Sequence, residues 1–195
     1  MCVSFEEGSK MNAIVYDGKS GAYSRKTRVN VAKWGFGLAS LALAFDVAAT
    51  CNVNILPSTP DARFELKADG TLVDSDTKLM WMRCSLGQAW DGTNCNDAPS
   101  EHDWKSALSS AESSEFAGYQ DWRLPNLKEL SSIIEQQCYN PSINETVFPN
   151  TPAKQYWTSS PYISSARYGW NVSFYLGYNH HDFKTKALHV RLVRD

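Results

Sequence analysis

What the 195-residue chain lacks narrows it first. No apolar run reaches the roughly 20 residues that a membrane-crossing helix needs; the main one, residues 34–45 (WGFGLASLALAF), stops at Asp46. An excess of one charge is also missing. Nineteen Lys and Arg against 21 Asp and Glu leave a net charge of -2, so nothing draws a phosphate backbone and no nucleic-acid partner is expected. There is no CxxC pair, and three of the four histidines, His180, His181 and His189, lie far in sequence from any cysteine. That argues against a zinc centre. Neither an internal repeat nor a coiled-coil heptad is present, which leaves one ordinary globular domain and a leader as the organisation that this length supports.

The leader is legible. Arg25, Lys26, Arg28 and Lys33 form a basic flank before the apolar run, and Val47-Ala48-Ala49 follows it as a small-residue cut site after Ala49. This is the pattern of an export signal. A buried core helix would carry polar residues along one face, and residues 34–45 carry only Ser40. Residues 1–24 are polar and unpatterned, and Met11 is an alternative start. Residues 1–49 are therefore read as extension and signal peptide, 50–60 as a linker containing Pro57 and Pro60, and 61–195 as the domain. After cleavage no stable membrane span is expected. Lipidation at Cys51 is the competing route, but Ala48-Ala49-Thr50 departs from the usual lipobox.

Export fits the cysteines. Of Cys2, Cys51, Cys84, Cys95 and Cys138, cleavage removes the first and leaves an even number for an oxidising compartment. Four cysteines allow three pairings. Cys84 and Cys95 flank a loop rich in Gly, Asn and Asp, which favours Cys84–Cys95 and Cys51–Cys138, each stabilising by about 2–4 kcal/mol.

The remaining patterning sets the fold class. Residues 63–66 and 71–73 read as strands joined by a turn at Ala68-Asp69-Gly70, and 78–82 (KLMWM) as a buried strand. Trp104, Ala107, Leu108 and Ala111 repeat at helical spacing, predicting a helix over 103–117 stopped by Gly118. Asn126, with Glu129 three residues on, has the form of a capping box opening a second helix. Tyr156 to Thr158, then Trp170, Val172, Phe174 and Leu176, then Leu188, Val190 and Leu192 read as strands. Strands, two helices, then strands make an α+β domain with a twisted antiparallel sheet. Six of the seven tryptophans fall between positions 81 and 170; Trp81, Trp157 and Trp170 are assigned to the core, and Arg191 and Arg194 to the sheet face away from it.

Several segments together resemble a known bacterial family. Asp69-Gly70-Thr71, LMWMRCSLGQAW (79–90), AGYQDWRLPNLKEL (117–130), Cys138 with Pro141 and Ile143-Asn144, FPNTP (148–152), YWTSSP (156–161) and VRLVR (190–194) are similar to the Lcl C-terminal domain, named from the end of a collagen-like adhesin. The resemblance implies a C-type-lectin-like fold, shared with formylglycine-generating enzymes and with the variable proteins of diversity-generating retroelements. Arg123 and Glu129, in the RLPNLKE stretch, read as structural partners or surface groups.

Against those relatives, chemistry is missing. No cysteine follows Cys138 to hold the copper of a formylglycine-generating oxidase. Trp170-Asn171-Val172 lacks the aspartate, and Phe148-Pro149-Asn150 the acid, of a calcium-dependent sugar site. No serine is paired with a base by any motif. His180-His181-Asp182 is a poor chelating set, because neighbours on an extended backbone point apart. No catalytic residue, metal or cofactor is expected. Two loops instead carry a binding palette of Tyr, Ser, Asn and His: 162–168 (YISSARY) and 175–183 (YLGYNHHDF). The candidate ligand-binding residues are Tyr162, Arg167, Tyr168, Tyr175, Tyr178, Asn179, His180, His181 and Asp182. The expectation is an exported or surface-displayed module recognising a glycan or a surface protein. Two alternatives are a structural subunit of a surface appendage and a retroelement variable protein. The oligomeric state is left open.

Overall fold

The computed structural model describes residues 49–195; the leader, the alternative start at Met11 and Cys2 lie outside the described residues. In chain order the elements are β1 (Thr50–Cys51), a 3-10 turn (Asp61–Arg63), β2 (Phe64–Leu66), β3 (Thr71–Asp74), β4 (Met80–Met82), β5 (Ala89–Trp90), β6 (Cys95–Asn96), α1 (Trp104–Glu112), α2 (Leu127–Ser131), β7 (Cys138–Tyr139), β8 (Gln155–Pro161), β9 (Tyr168–Ser173), β10 (Tyr178–Phe183) and β11 (Val193–Arg194). Two helices with antiparallel sheets make the α+β class expected. The strands divide among four sheets instead of one: β11-β4-β3-β2, β10-β9-β8, and the pairs β1-β7 and β5-β6.

Local chemistry sets the boundaries. Asp69 accepts the Thr71 N–H and hydroxyl, and Gly70 takes a φ of +85°, so the β2–β3 hairpin turns where Asp-Gly places it. The Asn126 side chain accepts the Glu129 N–H while Glu129 accepts the Asn126 N–H, a complete capping box that satisfies two otherwise orphaned donors. The first helix ends earlier than its apolar spacing suggests. Ser114 Oγ donates to the Ser110 carbonyl at 2.6 Å, diverting an acceptor of the last turn. Gly118 and Ala117, both at positive φ, belong to a separate tight turn bridging Phe116 and Tyr119.

The three-stranded sheet lies between two hydrophobic clusters. Tyr156 and Val172 on one face join Leu130, Ile133, Phe148 and Phe174. Trp157 on the other joins Trp122, Leu124, Leu188 and Leu192. The last segment links the two larger sheets: Leu188 bridges His102, His189 bridges Tyr156 and Val193 bridges Arg123, while Val190 and Leu192 accept N–H groups from Leu86 and Met82. Every residue from 188 to 193 is buried.

Arg191 therefore does not face solvent as its alternation predicts. Its side chain is fully buried, donating to the Met82 and Arg83 carbonyls and to Thr151 Oγ1 at 2.7 Å. The guanidinium lies 4.8 Å from the Phe148 ring centroid. Burial without a carboxylate partner pushes its pKa down to about 10. The segment is covered on both faces, so alternation of side chains gave no solvent side to read. Arg194, by contrast, reaches the surface and pairs with Asp121.

Both expected disulfides are present, Cys51–Cys138 and Cys84–Cys95. Bonded to Cys138, the Cys51 sulfur is not a free thiol in this structure. The segment around Ser58 and Thr59 is held by the buried Glu135. Its carboxylate accepts from the Ser58 and Thr59 N–H groups, both hydroxyls and the Gln137 N–H, at 2.8–3.1 Å. Burial opposes the charge on Glu135, but these donors outweigh it and hold the carboxyl below its ordinary pKa.

Candidate functional site

A shelf of rings lies on one face of the β10-β9-β8 sheet. β10 pairs with β9 over six unbroken positions, placing His181 opposite Trp170 and Phe183 opposite Tyr168. Successive side chains alternate faces, so Tyr168, Trp170, His181 and Phe183 share one. Tyr162, in the loop after β8, folds back over them. Its ring stacks on His181 at 4.1 Å, with planes 6° apart, and meets Trp170 edge-on at 5.2 Å. Tyr168 leans on Phe183 at 4.3 Å. The loop is tied by the Tyr162 N–H to the Tyr168 carbonyl, 3.1 Å. Phe183 is 50% exposed, and the other four rings are half-buried. Ile163, at the loop tip, is almost wholly exposed.

The nine sequence-selected residues separate. Tyr162, Tyr168 and His181 come together on the shelf, with Arg167 at its exposed end next to Lys184, whose N–H donates to the Arg167 carbonyl. Asn179 is on the same face, but its side chain accepts from Ser131 Oγ of α2. Tyr178, His180 and Asp182 are on the opposite face of β10. There Asp182 receives Lys186 Nζ at 3.1 Å, His180 Nδ1 at 3.4 Å and Asn171 Nδ2 at 3.2 Å. Tyr175 is in the β9–β10 turn, where its carbonyl accepts the Asn140 N–H, away from the shelf.

Two expectations are corrected. The stretch 175–183 is a turn followed by an edge strand, not a loop. Its residues alternate polar and aromatic side chains on both sides because neither face of an edge strand need be apolar, so periodicity had nothing to detect. Trp170, expected in the core, is only half-buried and forms the middle of the shelf; the pattern that puts it in line with the buried Val172 cannot tell where along the strand the second layer ends. Phe183 was also missed. The usable signal was Tyr168-x-Trp170 facing His181-x-Phe183, two aromatic i, i+2 pairs on adjacent strands.

Arg123 and Glu129 form a bidentate pair, 2.8 and 3.0 Å, while Glu129 also caps α2. Of the two readings the sequence left, structural partner and surface group, the contacts match the first. Among the described residues, no group of three or more His, Cys, Asp or Glu is placed to hold a metal, and no helix is long and apolar enough to cross a membrane.

Fold and site together define a disulfide-stapled α+β module whose exposed chemistry is aromatic. The chain belongs to the Lcl C-terminal domain family, whose profile matches residues 70–194. Comparison with curated proteins gives no match.

Proposed function

We propose that this protein is an exported, surface-displayed binding module, without catalytic activity, that takes a glycan or a surface protein on the shelf formed by Tyr162, Tyr168, Trp170, His181 and Phe183. The observation that carries this reading is the cluster of five rings left partly open on one face of the sheet. Burying those side chains in the domain's own core would have stabilised it by about 25 cal/mol per Å², so leaving them accessible marks a surface that meets something else. Rings already ordered by stacking lose little further freedom on contact. The two disulfides fit an oxidising compartment, and membership of the family supports a surface or secreted module. The C-type-lectin kinship implied by the resemblance agrees with recognition by the late part of the chain.

A glycan and surface-protein binding screen with the purified, oxidised protein tests this. Trp170→Ala and Tyr162→Ala should weaken any hit at least tenfold, while Tyr175→Ala, at the far turn, leaves it unchanged. Equal losses from all three, or none from the first two, refute the shelf as the site.

A further inference from the structure

Among the described residues, β10 is the outer strand of its sheet, with β9 as its one strand neighbour. The register fixes which of its backbone groups are used. Lys184 N–H donates to the Arg167 carbonyl, continuing the series in which Tyr178, His180 and Asp182 stand opposite Ser173, Asn171 and Gly169. In an antiparallel ladder, alternate residues turn their N–H and C=O toward the neighbour. Asn179, His181 and Phe183 therefore point theirs outward. Among the described residues, nothing accepts from these three N–H groups, and of the three carbonyls only that of Phe183 is used, by the Lys186 N–H. The strand has no bulge against β9 and no Pro or Lys within Tyr178–Phe183. These are the devices with which proteins block such an edge.

We infer that β10 pairs antiparallel with β10 of a second copy of this chain, about a two-fold axis at His181. The edge is self-complementary in one register. With His181 opposite its own copy and Asn179 opposite Phe183, every outward N–H meets an outward carbonyl. Four of the hydrogen bonds use groups with no other partner, and two more share the Phe183 carbonyl with Lys186. On the other face this register sets His180 of each copy against Asp182 of the other, twice. Sliding by one pair toward the start of the strand sets His180 against itself and leaves the Phe183 N–H facing Gly177, where Ile134 and Ser142 pack. Sliding the other way sets Asp182 against Asp182. Setting imidazole against carboxylate, in place of like against like, thus selects the His181-centred pairing.

The product is a continuous six-stranded sheet, β8-β9-β10 from each copy, with both aromatic shelves on one face. The pairing does not depend on the shelf binding anything; if it does, the two sites act together on a multivalent surface.

Sedimentation of the wild-type protein and a cysteine scan test this. The contact is small, so the dimer is weak. The weight-average mass should climb from one chain's mass toward twice that value as concentration rises about 100-fold into the high micromolar range. A cysteine at the symmetry centre faces its copy at a Cα separation of about 5.5 Å, within disulfide reach. His181→Cys should therefore form a covalent dimer on oxidation, while His180→Cys and Asp182→Cys should not. Mass spectrometry confirming the two native disulfides in each variant excludes misfolding as the explanation. A wild-type mass that stays monomeric, a trimer, or cross-linking through residue 180 or 182 in place of 181 overturns the proposal.

Discussion

Replacing Glu135 by glutamine changes one side-chain atom and disrupts the anchor of the chain's first described segment. The carboxylate accepts five hydrogen bonds: three on Oε1, from the Ser58 N–H, the Ser58 hydroxyl and the Gln137 N–H, and two on Oε2, from Thr59. Glutamine supplies one oxygen and one NH2. Whichever way it turns, donors meet donors, and the Thr59 amide, buried with its side chain, is the group that loses most. An unsatisfied buried N–H costs about 1–3 kcal/mol, and bonds to a charge are about twice as strong as neutral ones. The expected loss is about 3 kcal/mol, or a melting temperature lower by about 6–12 °C for a domain of this size. Urea unfolding measures the first quantity. Amide exchange at Ser58 and Thr59 locates it, since protection there should fall while that of Val172 and Leu130 follows only the global change. The pH dependence follows the same carboxylate. Its folded pKa lies below the ordinary value, so its contribution is complete above the unfolded pKa and is lost as pH falls through the folded one. Glu135→Gln should lack that component of acid sensitivity. Unchanged midpoint and unchanged protection in the variant would refute the assignment of Glu135 as the anchor.

Other consequences are as direct. Arg191→Ala should cost about 3–5 kcal/mol in urea titration, because it opens a cavity and leaves the Met82 and Arg83 carbonyls without a donor. Gly70→Ala should destabilise by about 2 kcal/mol or more, since its φ of +85° disfavours a side chain and the new Cβ would lie 2.6 Å from Trp90 Cγ; a melting temperature within 1 °C of wild type, against the few degrees expected, would contradict this. Burial holds the His189 imidazole below its ordinary pKa. The unfolded chain then binds the proton first, and stability should decline as pH falls from the ordinary histidine value toward the folded one, a slope that His189→Gln removes. Cys51→Ser with Cys138→Ser should cost about 2–4 kcal/mol while Ser58 and Thr59 keep their amide protection through Glu135.

Much of this was legible in the sequence where the chemistry is local. The Asp69-Gly70 turn, the Asn126–Glu129 cap and the Arg123–Glu129 pair each depend on residues at most six positions apart. Both disulfide pairings could be chosen from three possibilities. Of the candidate residues chosen by composition, Tyr162, Tyr168 and His181 are brought together by the fold. Composition also gathered Tyr175, which lies in the β9–β10 turn, and Tyr178, His180 and Asp182, which β10 carries on its other face, and it passed over Trp170 and Phe183.

By itself the sequence determined the α+β class, the cross-links and the points where the chain turns, because covalent spacing, backbone sterics and short-range hydrogen bonds act within a few residues. Only the tertiary structure decided that Arg191 is buried, that Trp170 is half-buried and that Tyr178–Phe183 is, among the described residues, an edge strand. Those properties depend on which distant layer covers each face of a strand and where that layer stops, and an alternating pattern contains neither.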